Sequence, residues 1–232
     1  MFVRYVFKLG SYGQEVSMPF FLSKKLVNTN FFKKGANILK HFNVRSKLIE
    51  STIKVIARDG LDKTTTKAIA KESDLHEAYI YQHFENKEKL LAQTFDVLDE
   101  ELATTAMQNV EVMYMQNLNY EARCRFFFSA VWHFIIGNRE KCMAFIQYYY
   151  SPYFKKYSEN GHTKRYIPLV EKFCDAFKAE SNVWMILNHI LNVMLDFAVK
   201  IFNDAVSNSD DTAEHVFRLI FCSVKQYFKS EN

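Results

Sequence analysis

The stretch from Val44 to Leu91, VRSKLIESTIKVIARDGLDKTTTKAIAKESDLHEAYIYQHFENKEKLL, leaves its chain little choice of fold. Leu48, Ile49, Thr52, Ile53, Ile56 and Ala57 recur at helical spacing and predict a helix over about Val44 to Asp59. Gly60 follows where a left-handed residue ends a helix. Thr64 is the expected N-cap of a second, short helix running to Glu72, and a third is expected from about His76 to His83. Only Ser73 to Leu75 separate these two, a connection that suits helices meeting at a steep angle. Asn86 is the expected cap of a longer fourth helix that begins KEKLL and runs to about Met113. Four elements this close together admit only a compact helical module.

The rest of the chain agrees with an all-α fold. Three prolines, six glycines and no sustained alternation of apolar and polar residues argue against an all-β domain. The formal charge of +4 is unevenly spread: residues 1–43 carry seven Lys or Arg against one Glu, residues 44–91 nine against eight acids, and residues 92–232 fourteen against seventeen. A basic front on an acidic body fits a polyanion-binding module joined to a partner-binding body, although an uneven surface without function gives the same count. Residues 1–43 read as a poorly ordered basic extension with a helical piece from Ala36 to Phe42. Its Lys24, Lys25, Lys33, Lys34 and Lys40 either lie along phosphate or only keep the tail soluble.

Several classes are excluded. Cys124, Cys142, Cys174 and Cys222 form no CxxC pair and read as reduced core thiols, so neither a metal site nor a redox pair is expected. His133, His162, His189 and His215 complete no nucleophile or metal spacing, and there is no Gly-rich phosphate loop, so neither catalysis nor a cofactor is expected. The N-terminus lacks a signal-peptide apolar core, and no run of about 18 apolar residues is expected to span a membrane. A cytoplasmic protein without a membrane partner follows.

GLDKTTTKAIAKESDLHEAYIYQHFENKEKLL resembles the helix-turn-helix signature of the TetR family of bacterial transcriptional regulators. The resemblance rests on Gly60, Thr64 and Thr65, Ile69 and Ala70, the set Tyr81, His83 and Phe84, and Lys87 with Glu88, all in register. It implies residues 44–91 as the DNA-binding domain and residues 92–232 as a helical domain for ligand binding and dimerisation. The partner would be double-stranded DNA. A small core from Ile69, Ala70, Leu75, Ile80 and Phe84 would leave Glu77, Ala78, Tyr79 and Gln82 of the third helix, with Lys67 of the second, to meet base edges. Lys67 is the candidate reader of a guanine. Thr65, Thr66, Tyr81, His83 and Lys87 are the expected phosphate contacts. Asp74, His76 and Tyr79 depart from the family's usual small turn residue, Ser or Thr cap, and small reading residue.

In the body, Phe126, Phe127, Phe128, Val131, Trp132, Phe134 and Ile135 make a helix from about Asn119 to Gly137 apolar on most sides. Asn138 is the expected cap of the next helix, and a further one is expected over Thr163 to Glu180. The resemblance implies a ligand cavity among the middle helices, for which Phe128, Trp132, Phe145, Tyr149, Trp184 and Met194 are candidates, though a filled core uses the same side chains. Towards the C-terminus, Val183, Leu187, Ile190, Met194, Phe197 and Ile201 form one apolar seam, and Phe217, Ile220, Phe221, Val224 and Phe228 another. By the resemblance these seams pair with their copies in a homodimer; the alternative is that they only close the subunit. Asn188, Asn192, Asp196 and Lys200 recur every four residues as a solvated stripe.

The expected function is a transcriptional repressor released from a palindromic operator by an unknown small-molecule effector. The competing reading is a helical, dimeric interaction protein that keeps the module without specific operator binding.

Overall fold

A computed structural model describes the backbone of Phe7–Lys8, Glu15–Val16 and residues 29–229, and the side chains of residues 43–229. The chain divides into two compact units, Met1–Phe42 and Asn43–Asn232. In the first, strands β1 (Phe7–Lys8) and β2 (Glu15–Val16) pair antiparallel, Phe7 opposite Val16. The expectations of a poorly ordered tail and of its lysines on phosphate otherwise fall outside the described residues.

Helix α1 covers Thr29–Asp59, so it begins well before Val44. Gly60 ends it at a φ of +93°, its N–H bonded to the Ile56 carbonyl at 3.0 Å. Helix α2 (Thr66–Ser73) is capped by Thr65, whose hydroxyl accepts from the Ala68 N–H at 3.1 Å. Thr64 is not the cap: it is fully buried and donates to the Gly60 carbonyl at 2.8 Å. Helix α3 is Ala78–Phe84, and α4 is Lys87–Asn109, capped as expected by Asn86, which accepts from the Lys89 N–H at 2.8 Å. A 3-10 turn, Val110–Tyr114, extends α4. Ile69, Ile80, Phe84, Leu90 and Ile56 are each almost wholly buried, which makes the module's core continuous with the body's.

The body contains α5 (Tyr120–Gly137), α6 (Arg139–Tyr149), α7 (Glu159–Cys174), α8 (Val183–Phe202) and α9 (Asp210–Val224). Helix α4 is its axis, in contact with α3, α5, α6 and α7. Phe95 anchors that packing, stacked on Phe145 at 5.2 Å and on Tyr148 at 4.9 Å between ring centres. Asn119 caps α5 by accepting from the Ala122 N–H at 2.9 Å, whereas Asn138 does not cap α6 but donates back to the Phe134 carbonyl. Helix α7 starts earlier than Thr163, because a π-helical turn over Phe154–Ser158 leads straight into it, and it ends at Cys174.

Helix α8 contains no unbroken run of 18 apolar residues, being interrupted by Asn188, His189, Asn192, Asp196 and Lys200. By length and composition it is apolar enough to cross a membrane, with a mean hydropathy of 1.5, and about a third of that stretch is buried (33%). It packs on α5, α6, α7 and α9, and the polar stripe of Asn192, Asp196 and Lys200 lies exposed. Burial pushes the Cys142 thiol up to about 12, while Cys174 and Cys222 are exposed. Only the thiolate reacts, so a maleimide at pH 8 is expected to label Cys174 in the native protein and Cys142 only after unfolding. Peptide mass mapping before and after denaturant checks this.

Candidate nucleic-acid interface

Helical geometry sorts α3 into three sides. Ile80 and Phe84, four residues apart, are buried; Ala78, Tyr81 and Gln82 lie together on the opposite side and are exposed; Tyr79 and His83 flank them, half-buried. On α2 the same sorting buries Ile69, Ala70 and Ser73 and leaves Lys67 and Lys71 adjacent and exposed. Lys71 went unnoticed in the sequence, although it stands one turn from Lys67. Thr65 is also exposed, at the start of α2.

The turn between these helices is made by Asp74, left-handed at φ 50° and ψ 43°, with its N–H on the α2 carbonyls of Ala70 and Lys71. Leu75 N–H also returns to the Ala70 carbonyl at 3.1 Å, so the last turn of α2 is satisfied. The cap position of α3 is Glu77, which makes no side-chain capping bond, and one residue earlier His76 Nδ1 accepts from the Ala78 N–H at 3.3 Å. Arg45 closes the far side, its guanidinium 4.8 Å from the centre of the Phe84 ring and bonded to the His83 carbonyl and the Gln93 side chain.

Several candidates sit elsewhere than a free contact group should. Thr66 donates its hydroxyl to the Glu77 carboxylate, so this pair ties α2 to α3. Tyr79 packs against the core with its ring 6.3 Å from that of His83. Lys87 donates to the Thr64 carbonyl at 3.3 Å. The exposed set is therefore Thr65, Lys67, Lys71, Ala78, Tyr81 and Gln82: two cations, hydroxyl and amide donors, and one small residue that permits close approach. Such groups bind phosphate and read base edges.

In the body, a cavity of about 60 Å³ is lined by Trp184 and Met194 among the six ligand candidates, together with His162 and Tyr166. Phe145 lines a separate, smaller space, and Phe128 a third one shared with Met194. Trp132 is core, stacked on Phe128, while Tyr149 packs on Phe145 and tilts against His162.

The proposed pairing seams also need correction. Met194, Ile201, Phe217, Ile220, Val224 and Phe228 lie buried in the subunit's own core, and Leu187, Ile190, Phe197 and Phe221 pack half-buried against it. The seams join α8 and α9 to each other and to α5. What faces outward is Met185, His189 and Asn192 of α8 and His215, Leu219 and Cys222 of α9, Met185 being 66% and Leu219 57% exposed.

Residues 48–94 match the family model described as bacterial regulatory proteins, tetR family. No curated protein matches the sequence. Among solved structures the chain is similar to a TetR family transcription regulator from Marinobacter aquaeolei VT8, with TM-score 0.67 and 16% identity over 83% of this chain and 99% of that one. A candidate tetR family transcription regulator from Shewanella sp. PV-4 follows at TM-score 0.63 and 15% identity over 81% and 99%. The multidrug binding protein EbrR, complexed with imidazole, matches at TM-score 0.53 and 11% identity over 76% and 93%. At such identities the structures speak for the fold. The all-α architecture and the resemblance carried by Gly60 through Glu88 are thereby borne out.

Proposed function

We propose, for a chain with the module and the fold of the tetR family of bacterial regulatory proteins, that it is a cytoplasmic, homodimeric repressor that leaves a palindromic operator when a small molecule enters its body. The observation that carries the reading is the exposed surface of α2 and α3, where Lys67 and Lys71 stand beside Ala78, Tyr81 and Gln82 over a turn whose Asp74 and Leu75 amides return to α2. Lys67, Ala78 and Gln82 meet the groove, and Thr65, Lys71 and Tyr81 meet phosphate. Glu77 and Thr66 act by holding α3 at its angle to α2.

Two copies placed through the outward side of α8 and α9 present two such surfaces about one DNA turn apart, roughly 34 Å, which requires a palindrome. The cavity beside Trp184 and Met194 supports an effector site, as does the likeness to a multidrug binding protein. The effector changes the population of the operator-binding spacing, and a near-complete switch needs a preference of about 5.5 kcal/mol.

Selection of bound fragments from random duplex DNA tests this directly. A palindromic consensus supports the reading; no enrichment over bulk DNA at low salt overturns it in favour of an interaction protein that keeps only the module. On the selected duplex, Lys71→Ala is expected to lower the slope of log affinity against log salt by about 1 while keeping the consensus. Lys67→Ala is expected to relax one position of the consensus, at a cost of about 1–3 kcal/mol for the preferred base.

A further inference from the structure

The cavity in the body has walls of Leu102, Phe127, Trp184 and Met194, the Asn188 amide of α8 on one side, and a polar corner where α4 meets α7. In that corner Asp99, wholly buried, accepts from His162 Nδ1 at 2.9 Å and from an Arg165 guanidinium nitrogen. Arg165 also bonds Glu100 at 2.7 Å and lies 3.7 Å from Asp96. Both oxygens of Asp99 are thus occupied, and its charge is answered by Arg165. A cation entering the cavity finds no free carboxylate, and an anion meets the field of a carboxylate with no spare donor of positive charge.

Tyr166 is different. It lines the same cavity and is 9% exposed, and its buried hydroxyl makes no hydrogen bond of standard geometry, the acceptor beside it being the Asp99 carboxylate, whose two oxygens already serve His162 and Arg165. A polar atom in that condition costs stability, and native chains keep few of them without a use. Burial above all, and then the nearby Asp99 carboxylate, hold its pKa well above the usual tyrosine value, so it stays a hydroxyl and can donate. We propose that this cavity takes a neutral, mainly apolar small molecule bearing one carbonyl or hydroxyl oxygen, which accepts from the Tyr166 hydroxyl. The inference rests on the proposed function only in calling that molecule an effector. At about 60 Å³ to the centre of a water-sized sphere, where one water needs about 10–15 Å³, the space admits a compact ligand of about one ring.

Four one-ring probes of similar size test it by titration calorimetry on the full chain: acetophenone, ethylbenzene, benzoate and benzylamine. Acetophenone is expected to bind at least tenfold more tightly than each of the others. Tyr166→Phe should bring acetophenone down to the affinity of ethylbenzene while leaving ethylbenzene unchanged. Leu102→Trp, which fills the cavity, should abolish binding of both, and circular dichroism confirms that each variant is folded. Tightest binding by benzoate or benzylamine, an acetophenone preference that survives Tyr166→Phe, or no binding of any probe at millimolar concentration overturns the proposal. Acetophenone that binds as expected yet does not release the selected duplex counts against effector-driven release and leaves the cavity's chemistry standing.

Discussion

Asp99→Ala is expected to cost about 3 kcal/mol, the lower end of the roughly 3–5 kcal/mol typical when one partner of a buried charged group is removed. The carboxylate is wholly buried and holds His162 Nδ1 and Arg165 from one helix turn of α4. Its loss strands the His162 ring, 4% exposed and packed among Phe95, Tyr149, Phe154 and Tyr166. Arg165 suffers less, since Glu100 and Asp96 remain to it, which is why the lower end applies. For a chain of this length the melting temperature should fall by about 6–12 °C. Asp99→Asn keeps the shape and one acceptor but sets an amide donor against either His162 or Arg165, so its loss should lie between wild type and Asp99→Ala. A shift below 3 °C for Asp99→Ala in thermal unfolding would show that the corner holds the body together less than its burial suggests.

That corner also marks the limit of what was legible beforehand. Caps and terminators are local, so Gly60 and Asn86 were readable from their neighbours and the structure uses both, whereas Asn138, read the same way, bonds back to the Phe134 carbonyl. Between adjacent threonines the choice was not local: Thr65 caps because Thr64 is spent on the Gly60 carbonyl inside the core. The early start of α1 was legible only in part: the helical piece expected over Ala36 to Phe42 lies inside a helix that begins at Thr29. Periodicity in α8 and α9 announced that each packs on another helix, but a period cannot say whether that helix belongs to the same chain. Buried Phe217 and Val224 answer that it does. Asp99, His162 and Tyr166 come from two helices far apart in the chain, so no spacing rule brings them together. In the DNA-facing module, exposure separates Glu77 and Thr66, which grip each other, from Lys67 and Gln82, which face out.

Gln147→Leu is expected to disconnect the module from the body with little change in shape. The Gln147 amide, on α6, accepts from the Leu61 N–H at 2.7 Å and donates to the Ile56 carbonyl at 3.1 Å, clasping the turn between α1 and α2. Neither backbone group finds the same partner in a leucine, and a half-buried orphan donor costs about 1 kcal/mol, the low end for such groups. Exchange of the Leu61 amide with solvent should therefore speed up about fivefold, with global stability lowered by a similar free energy. The functional consequence is larger. Two residues further on, Tyr149 packs on the His162 ring with 5.4 Å between centres, and His162 lines the cavity. Helix α6 thus touches the cavity wall at one point and the turn that positions α2 at another, a contiguous path with no loop in it. On the proposed function, an effector that moves His162 shifts Tyr149, and Gln147 carries that shift to Ile56 and Leu61. Gln147→Leu should then bind both duplex and cavity ligand with near-normal affinity while the ligand's effect on duplex affinity, typically about 5–150-fold in coupled systems, falls towards none. Gln147→Glu keeps the acceptor for Leu61 but sets a carboxylate against the Ile56 carbonyl, and should lose part of the response. A ligand response of full size in Gln147→Leu would place the coupling along α4 instead, the other helix that joins module and cavity.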